Sequence, residues 1–172
     1  MKRFIKNTMK KEQRIEVYTD GSTKNNGQEN AVGGWAYIVL VNGGVAHADN
    51  GHLFNTTNQQ MELFAAIQAC AYLDNRYGSF DKFVIYSDSA YLVNCVNNNW
   101  YGKWLETGWK NSKGEPVANK DYWNLLIPYF DDYRFTFKKV KGHSNVKYNN
   151  LADELAQCAA EIGRKKFENS SN

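Results

Sequence analysis

Hydrophobic and polar positions alternate early in the chain and recur at helical spacing later. Ile15, Val17 and Thr19 alternate with Glu16, Tyr18 and Asp20, which predicts a strand ending at Asp20-Gly21. Ser22 to Val32 is rich in Asn and Gly and reads as a loop. Gly34 to Val41 is a second strand, Asn42-Gly43-Gly44 a hairpin turn, and Val45 to Phe54 a returning third strand. Thr57 followed by Gln60 fits a capping box, so a helix begins there and runs through Tyr72. Its apolar residues cover most of its circumference, which predicts burial against a sheet.

Lys82 to Ser87 reads as a fourth strand, followed by a short helix through Val96. A Trp-rich stretch from Trp100 to Trp109 leads into a polar loop to Pro116. Tyr122 to Phe130 is helical, with Pro128 placed to kink or end it. Arg134 to Val140 alternates as a fifth strand, Lys141 to Tyr148 is a loop, and Asn149 to Gly163 is a last helix. The order βββαβαβα, opening on a meander and continuing through a helical crossover, implies an α/β fold. Its five-stranded sheet is mixed, with helices on both faces. Sites in such sheets gather at strand carboxyl ends.

Composition narrows the class. Of 172 residues, 42% are hydrophobic and 23% charged, a globular balance for one domain. No apolar run approaches the roughly 18–20 residues of a membrane span, and the basic N-terminus lacks the apolar core of a secretory signal. A cytoplasmic monomer is expected. Lys2, Arg3, Lys6, Lys10, Lys11 and Arg14 against Glu12 give the first fourteen residues a charge of +5; the chain carries +3, so the remainder carries −2. Any nucleic-acid contact by the body must therefore rest on local patches. The expected division is a basic tail at 1–13, a domain at 14–165 and a polar tail at 166–172. The first tail is either solvated or an arm that touches phosphates. Cys70, Cys95 and Cys158 show no CxxC spacing and read as buried free thiols in a reducing compartment.

Four acids stand out. Asp20 and Asp88 end strands, where each alone reads as a turn opener or helix start. Glu62 lies two residues past the capping-box Gln60, between Met61 and Leu63. It is either an exposed acid near a helix N-terminus or a buried one that needs a partner or a metal. Asp153 begins the last helix, where a dipole role is equally open. If the fourth strand pairs beside the first, all four converge at one sheet edge. Four carboxylates there would repel, and divalent cations would remove that cost; an all-oxygen set suits Mg²⁺ or Mn²⁺.

The blocks Tyr18-Thr19-Asp20-Gly21-Ser22, Thr57-Asn58-Gln59-Gln60-Met61-Glu62-Leu63, Tyr86-Ser87-Asp88-Ser89, Val140-Lys141-Gly142-His143-Ser144 and Ala152-Asp153-Glu154-Leu155-Ala156 resemble type 1 ribonuclease H. They stand in that family's order, from about Ile15 to Gly163. The resemblance implies the ribonuclease H-like fold and hydrolysis of the RNA strand of RNA–DNA hybrids by a two-metal-ion mechanism, leaving 3′-hydroxyl and 5′-phosphate ends. It implies that Asp20, Glu62, Asp88 and Asp153 bind metal, with two Mg²⁺ ions in the presence of substrate and Mn²⁺ able to substitute. It makes His143 the mobile-loop histidine that assists proton transfer or product release.

Asn26, Asn58 and Gln59 then match minor-groove contacts to RNA, and Thr57 and Asn119 match holders of a DNA phosphate. Trp100 and Trp104 match aromatics of the DNA channel, although core packing is the plainer account of a tryptophan. Asn55 replaces an arginine common in the phosphate pocket. The stretch Leu105-Glu106-Thr107-Gly108 keeps the length of a basic handle but loses much of its charge, a loss for which the N-terminal tail is expected to compensate in part. Polar ends suggest a free-standing enzyme. Another two-metal nuclease of this fold, such as a resolvase, and a catalytically silent hybrid-binding module are the competing readings.

Overall fold

A two-residue turn, Asn42-Gly43, folds the second strand back onto the third. Both residues have positive φ (52° and 84°), the requirement of a type I′ turn, which Asn-Gly meets at little steric cost. The computed structural model describes residues 13–26, 28–142 and 146–170. The basic tail ahead of Gln13, and His143 with its two successors, lie outside them. The elements are β1 (Arg14–Lys24), β2 (Val32–Val41), β3 (Gly44–Phe54), α1 (Asn58–Arg76), β4 (Lys82–Ser87), α2 (Ala90–Asn97), α3 (Trp100–Glu106), α4 (Lys120–Phe130), β5 (Phe135–Lys139) and α5 (Lys147–Ser170).

The strands form a 5-stranded sheet in the order β3-β2-β1-β4-β5. β1 pairs antiparallel with β2 and parallel with β4, and β4 pairs parallel with β5. The expected mixed sheet is thus observed, with β1 at its centre. Side chains that alternate along the strands supply both faces. Ile15, Val17, Tyr37, Val39, Phe83, Ile85, Phe135 and Phe137 pack on Ala69, Cys70 and Leu73 of α1. Ile38 and Leu40 point the other way, onto Ala152 of α5, with Tyr18, Leu151 and Leu155 around them. α1 is apolar nearly all round because it is covered twice: its outer residues Leu63, Ala66 and Ile67 meet Leu92, Cys95, Trp123 and Leu126 of α2 and α4.

Four details depart from the sequence pattern. β1 continues past Gly21 to Lys24, because Ser22, Thr23 and Lys24 pair with Gly34, Gly33 and Val32; ladder hydrogen bonds override a polar, turn-like sequence. The Trp-rich stretch contains α3. α5 begins at Lys147 and does not stop at Gly163, where a Cβ would meet Val32 and His52. That glycine permits close approach of helix to sheet and is no stop signal, so residues 166–170 of the expected tail are helical. Finally, Cys70 and Cys95 are buried but Cys158 is exposed, which corrects the reading of all three thiols as buried.

Candidate active site

Because β1 and β4 run parallel, their carboxyl ends lie on one edge of the sheet. The register pairs Tyr18 with Tyr86 and Thr19 with Ser87, which sets Asp20 level with Asp88. α1 brings the third acid. Its start is fixed by the capping box: Gln60 N–H donates to Thr57 Oγ1 (3.2 Å), and Gln60 Oε1 accepts from Thr57 N–H (3.0 Å). The Thr56 hydroxyl also donates to Gln60 Oε1. The helix then lies directly on β1 at Gly21, where a Cβ would collide with the Glu62 nitrogen and the Met61 carbonyl carbon. Only glycine permits that approach, and Glu62 arrives beside Asp20 as a result.

Asp20, Glu62 and Asp88 each offer a carboxylate oxygen, all within 4.8 Å of one another. Asp20 and Glu62 are 4% and 7% exposed, so both are nearly removed from water. Asp20 is pushed up to about 7, first by burial, then by the charges of Asp88 and Asp153; the Gly21 N–H, donating at 2.7 Å, pulls it down. Burial, then Asp20 and Asp88, push Glu62 well above the carboxylate range. Asp153 thus reaches the cluster electrostatically but lies outside its closest trio, with Oδ1 accepting from Gln157 Nε2 at 2.8 Å. Glu62 Oε2 is buried with no hydrogen-bond partner. A buried, unpartnered oxygen among crowded carboxylates fits a hard divalent cation.

These shifts fix the sign of a pH effect on the metal-free fold. Asp20 titrates near 3.8 when unfolded and at about 7 when folded. The folded state therefore holds the extra proton between those values, and stability falls as pH rises through 7. In chelator, the melting temperature should drop by roughly 5 °C from pH 5 to pH 8, and Asp20→Asn should flatten the drop. Asp132 and Glu161, paired with Arg134 and Arg164, titrate below the ordinary carboxylate range and so outside this window. A melting temperature that climbs over the interval would contradict the crowding.

Four of the residues matched to substrate contacts, Asn26, Thr57, Asn58 and Gln59, meet at the start of α1. Asn26 Oδ1 accepts from the Asn58 backbone N–H at 3.0 Å, tying the loop after β1 to the helix that carries Thr57, Asn58 and Gln59. Asn119 precedes α4 with φ 60°, and its side chain makes no capping bond. Trp100 and Trp104 are half-buried. They pack against the cluster around the fully buried Trp123 and also line a cavity of about 380 Å³ with Lys103 and Lys110. Sequence reasoning missed the two glycines that bring the site together. Gly21 looked like half of an Asp-Gly turn. At Gly142, a Cβ would collide with the Asp88 carboxylate, so the loop after β5 starts against that acid.

The family model for RNase H matches residues 12–161. The chain belongs to the ribonuclease H family. Ribonuclease H of Chlorobaculum parvum is 41% identical over 148 residues, covering 86% of this chain and 96% of that protein. Ribonuclease H of Syntrophomonas wolfei is 42% identical over 145 residues, covering 84% and 94%. Among solved structures, LC9-RNase H1, described as a type 1 RNase H with the type 2 active-site motif, is 27% identical. It superposes with a TM-score of 0.68 over 87% of this chain and 73% of its own. The resemblance to type 1 ribonuclease H therefore stands, and the protein is a nuclease of that family. The family is metal-dependent, and the cluster of Asp20, Glu62 and Asp88 could hold a metal ion.

Proposed function

We propose that the enzyme cleaves the RNA strand of RNA–DNA hybrids at the edge of the sheet where β1 and β4 end, leaving 3′-hydroxyl and 5′-phosphate products. The observation that carries this reading is the trio Asp20, Glu62 and Asp88 within 4.8 Å, largely buried. With Asp153 they hold two Mg²⁺ ions, for which Mn²⁺ can substitute. When bound, such a pair lowers the pKa of water and neutralises charge on the attacking and leaving oxygens. The chain's own contribution is a set of carboxylates already gathered, whose mutual repulsion is relieved on loading.

Specificity for RNA comes from the start of α1. The Asn26 oxygen is engaged by Asn58, which leaves its amide N–H₂ to donate to 2′-hydroxyls or base acceptors in the shallow minor groove. Asn58 and Gln59 present further amides there. Thr57 and Asn119 hold a phosphate of the DNA strand, a pocket weakened by Asn55, and Trp100 and Trp104 take the DNA strand beyond it. His143 assists proton transfer or product release, since an imidazole can act as a general acid or base. We propose a monomer working in the cytoplasm. No helix among the described residues is long and apolar enough to cross a membrane.

The test is a hybrid labelled in its RNA strand, incubated with Mg²⁺, Mn²⁺ or chelator, beside duplex DNA and duplex RNA. Cleavage of the hybrid alone, and only with metal, is expected; comparable cleavage of duplex DNA would favour a resolvase-like enzyme. Removal of residues 1–13 should weaken hybrid binding and reduce the salt slope by about one for each phosphate that the tail neutralises. An unchanged slope would leave the basic tail without a role in binding.

A further inference from the structure

The two faces of the sheet are unequally covered. α5 lies over β1, β2 and β3, and β4 and β5 extend past it. On the face opposite buried Phe83, Ile85, Phe135 and Phe137, residues Lys82, Thr136 and Lys138 are exposed, and Val84 and Tyr86 are half-buried. The register sorts this face into rows below Asp20 and Asp88, with β4 and β5 open and β1 at the flank of α5, where Glu16 is buried: first Tyr18, Tyr86 and Lys138, then Glu16, Val84 and Thr136, then Arg14 and Lys82. At about 3.3 Å per residue, the strip runs roughly 20 Å from the catalytic acids, and its open part is the two strands β4 and β5, about 5 Å apart.

Its chemistry is aromatic and basic. Tyr18 and Tyr86 stack with centroids 4.9 Å apart, and Tyr148 at the start of α5 lies 6.0 Å from Tyr18. Lys147 Nζ sits 5.3 Å over the Tyr148 ring, so α5 walls the strip with another cation. The acid in these rows, Glu16, is already engaged: Arg14 pairs with it at 2.7 Å and the Tyr86 hydroxyl donates to it at 3.2 Å. Lys82, Lys138 and Lys147 thus form a surplus on a body whose net charge, beyond the first fourteen residues, is negative.

We infer that this strip binds single-stranded RNA continuing from a hybrid engaged at the acids. The inference rests on the hydrolytic reading above, since the RNA strand is the one whose phosphate reaches Asp20 and Asp88. A strip one backbone wide, floored by tyrosines and flanked by lysines, suits an unpaired strand: lysines take phosphates and aromatic rings tolerate any base.

The experiment compares a blunt hybrid with the same hybrid carrying a single-stranded extension on either end of its RNA strand, or on its DNA strand. KM for cleavage is measured, as is Kd by fluorescence anisotropy in chelator. An RNA extension at one end should lower both about fivefold and steepen the salt slope by about 1.4, the amount for two phosphates on a single strand. Lys82→Ala combined with Lys138→Ala should abolish that gain and leave blunt-hybrid kcat/KM unchanged. No gain in the wild type, an equal gain from a DNA extension, or a gain kept by the double variant would overturn the inference. So would binding of a labelled polyglutamate peptide that the double variant loses, with no gain from RNA, because the face would then serve an acidic protein. Failure to cleave any hybrid would instead defeat the hydrolytic reading, and the Kd comparison would still decide this one.

Discussion

Asp88→Asn should lower the rate of hybrid cleavage by at least about a thousandfold, some 4 kcal/mol of transition-state stabilisation, while hybrid affinity changes little. The substitution keeps the shape of the side chain and removes its charge. Asp88 is one of the three acids whose oxygens meet within 4.8 Å, and a neutral amide is a poor ligand for a hard cation. The proposed substrate contacts at Asn26, Asn58, Gln59 and Thr57 belong to other elements and are untouched. The variant should also fold normally, because the Asp88 charge raises the pKa of Asp20 and Glu62 and its loss relieves repulsion. Cleavage kinetics, hybrid binding and a melt in chelator read the three parts of this expectation. Near-wild-type cleavage would remove Asp88 from the site.

Gly21→Ala should cost about a hundredfold in rate through geometry alone, the scale expected when a reacting group shifts by about 1 Å. The new Cβ would strike the backbone of α1 at Met61 and Glu62. β1 cannot yield easily, since Gly21 is paired with Trp35 of β2 and the strand is held on both sides up to Thr19, so α1 must retreat and take Glu62 away from Asp20. Overpacking of this kind also destabilises by about 1–3 kcal/mol. The distinguishing sign is a higher Mg²⁺ concentration for half-maximal rate in the protein that remains folded, which a loss of stability alone would not produce. Full activity at the wild-type Mg²⁺ requirement would show that the close approach is not needed.

The elements were legible wherever local chemistry decides. Lys82–Ser87 is bounded as the alternation predicts, and the Thr57–Gln60 capping box starts α1 where the sequence places it. Local signals misled where tertiary contacts win: Gly21 continues a strand, Gly163 sits inside a helix, and Cys158 faces solvent despite apolar neighbours. The acids show the same division. As single residues, Asp20 and Asp88 are turn and cap formers. They become a site because β1 and β4 are parallel neighbours in a register that no local pattern encodes. Glu62 carried the strongest hint, an acid on a helix apolar nearly all round, and it is indeed buried with an oxygen unpartnered. Asp153 contributes at longer range, acting on Asp20 without joining the trio.

The most direct test of the central claim is a crystal structure of the enzyme soaked in Mn²⁺, with anomalous scattering used to place the metal. The account predicts an anomalous peak between Asp20, Glu62 and Asp88, with carboxylate oxygens about 2.1 Å away, close to the distance expected for Mg²⁺. Peaks confined to other acids of the surface, with these three left unliganded at saturating Mn²⁺, would contradict it.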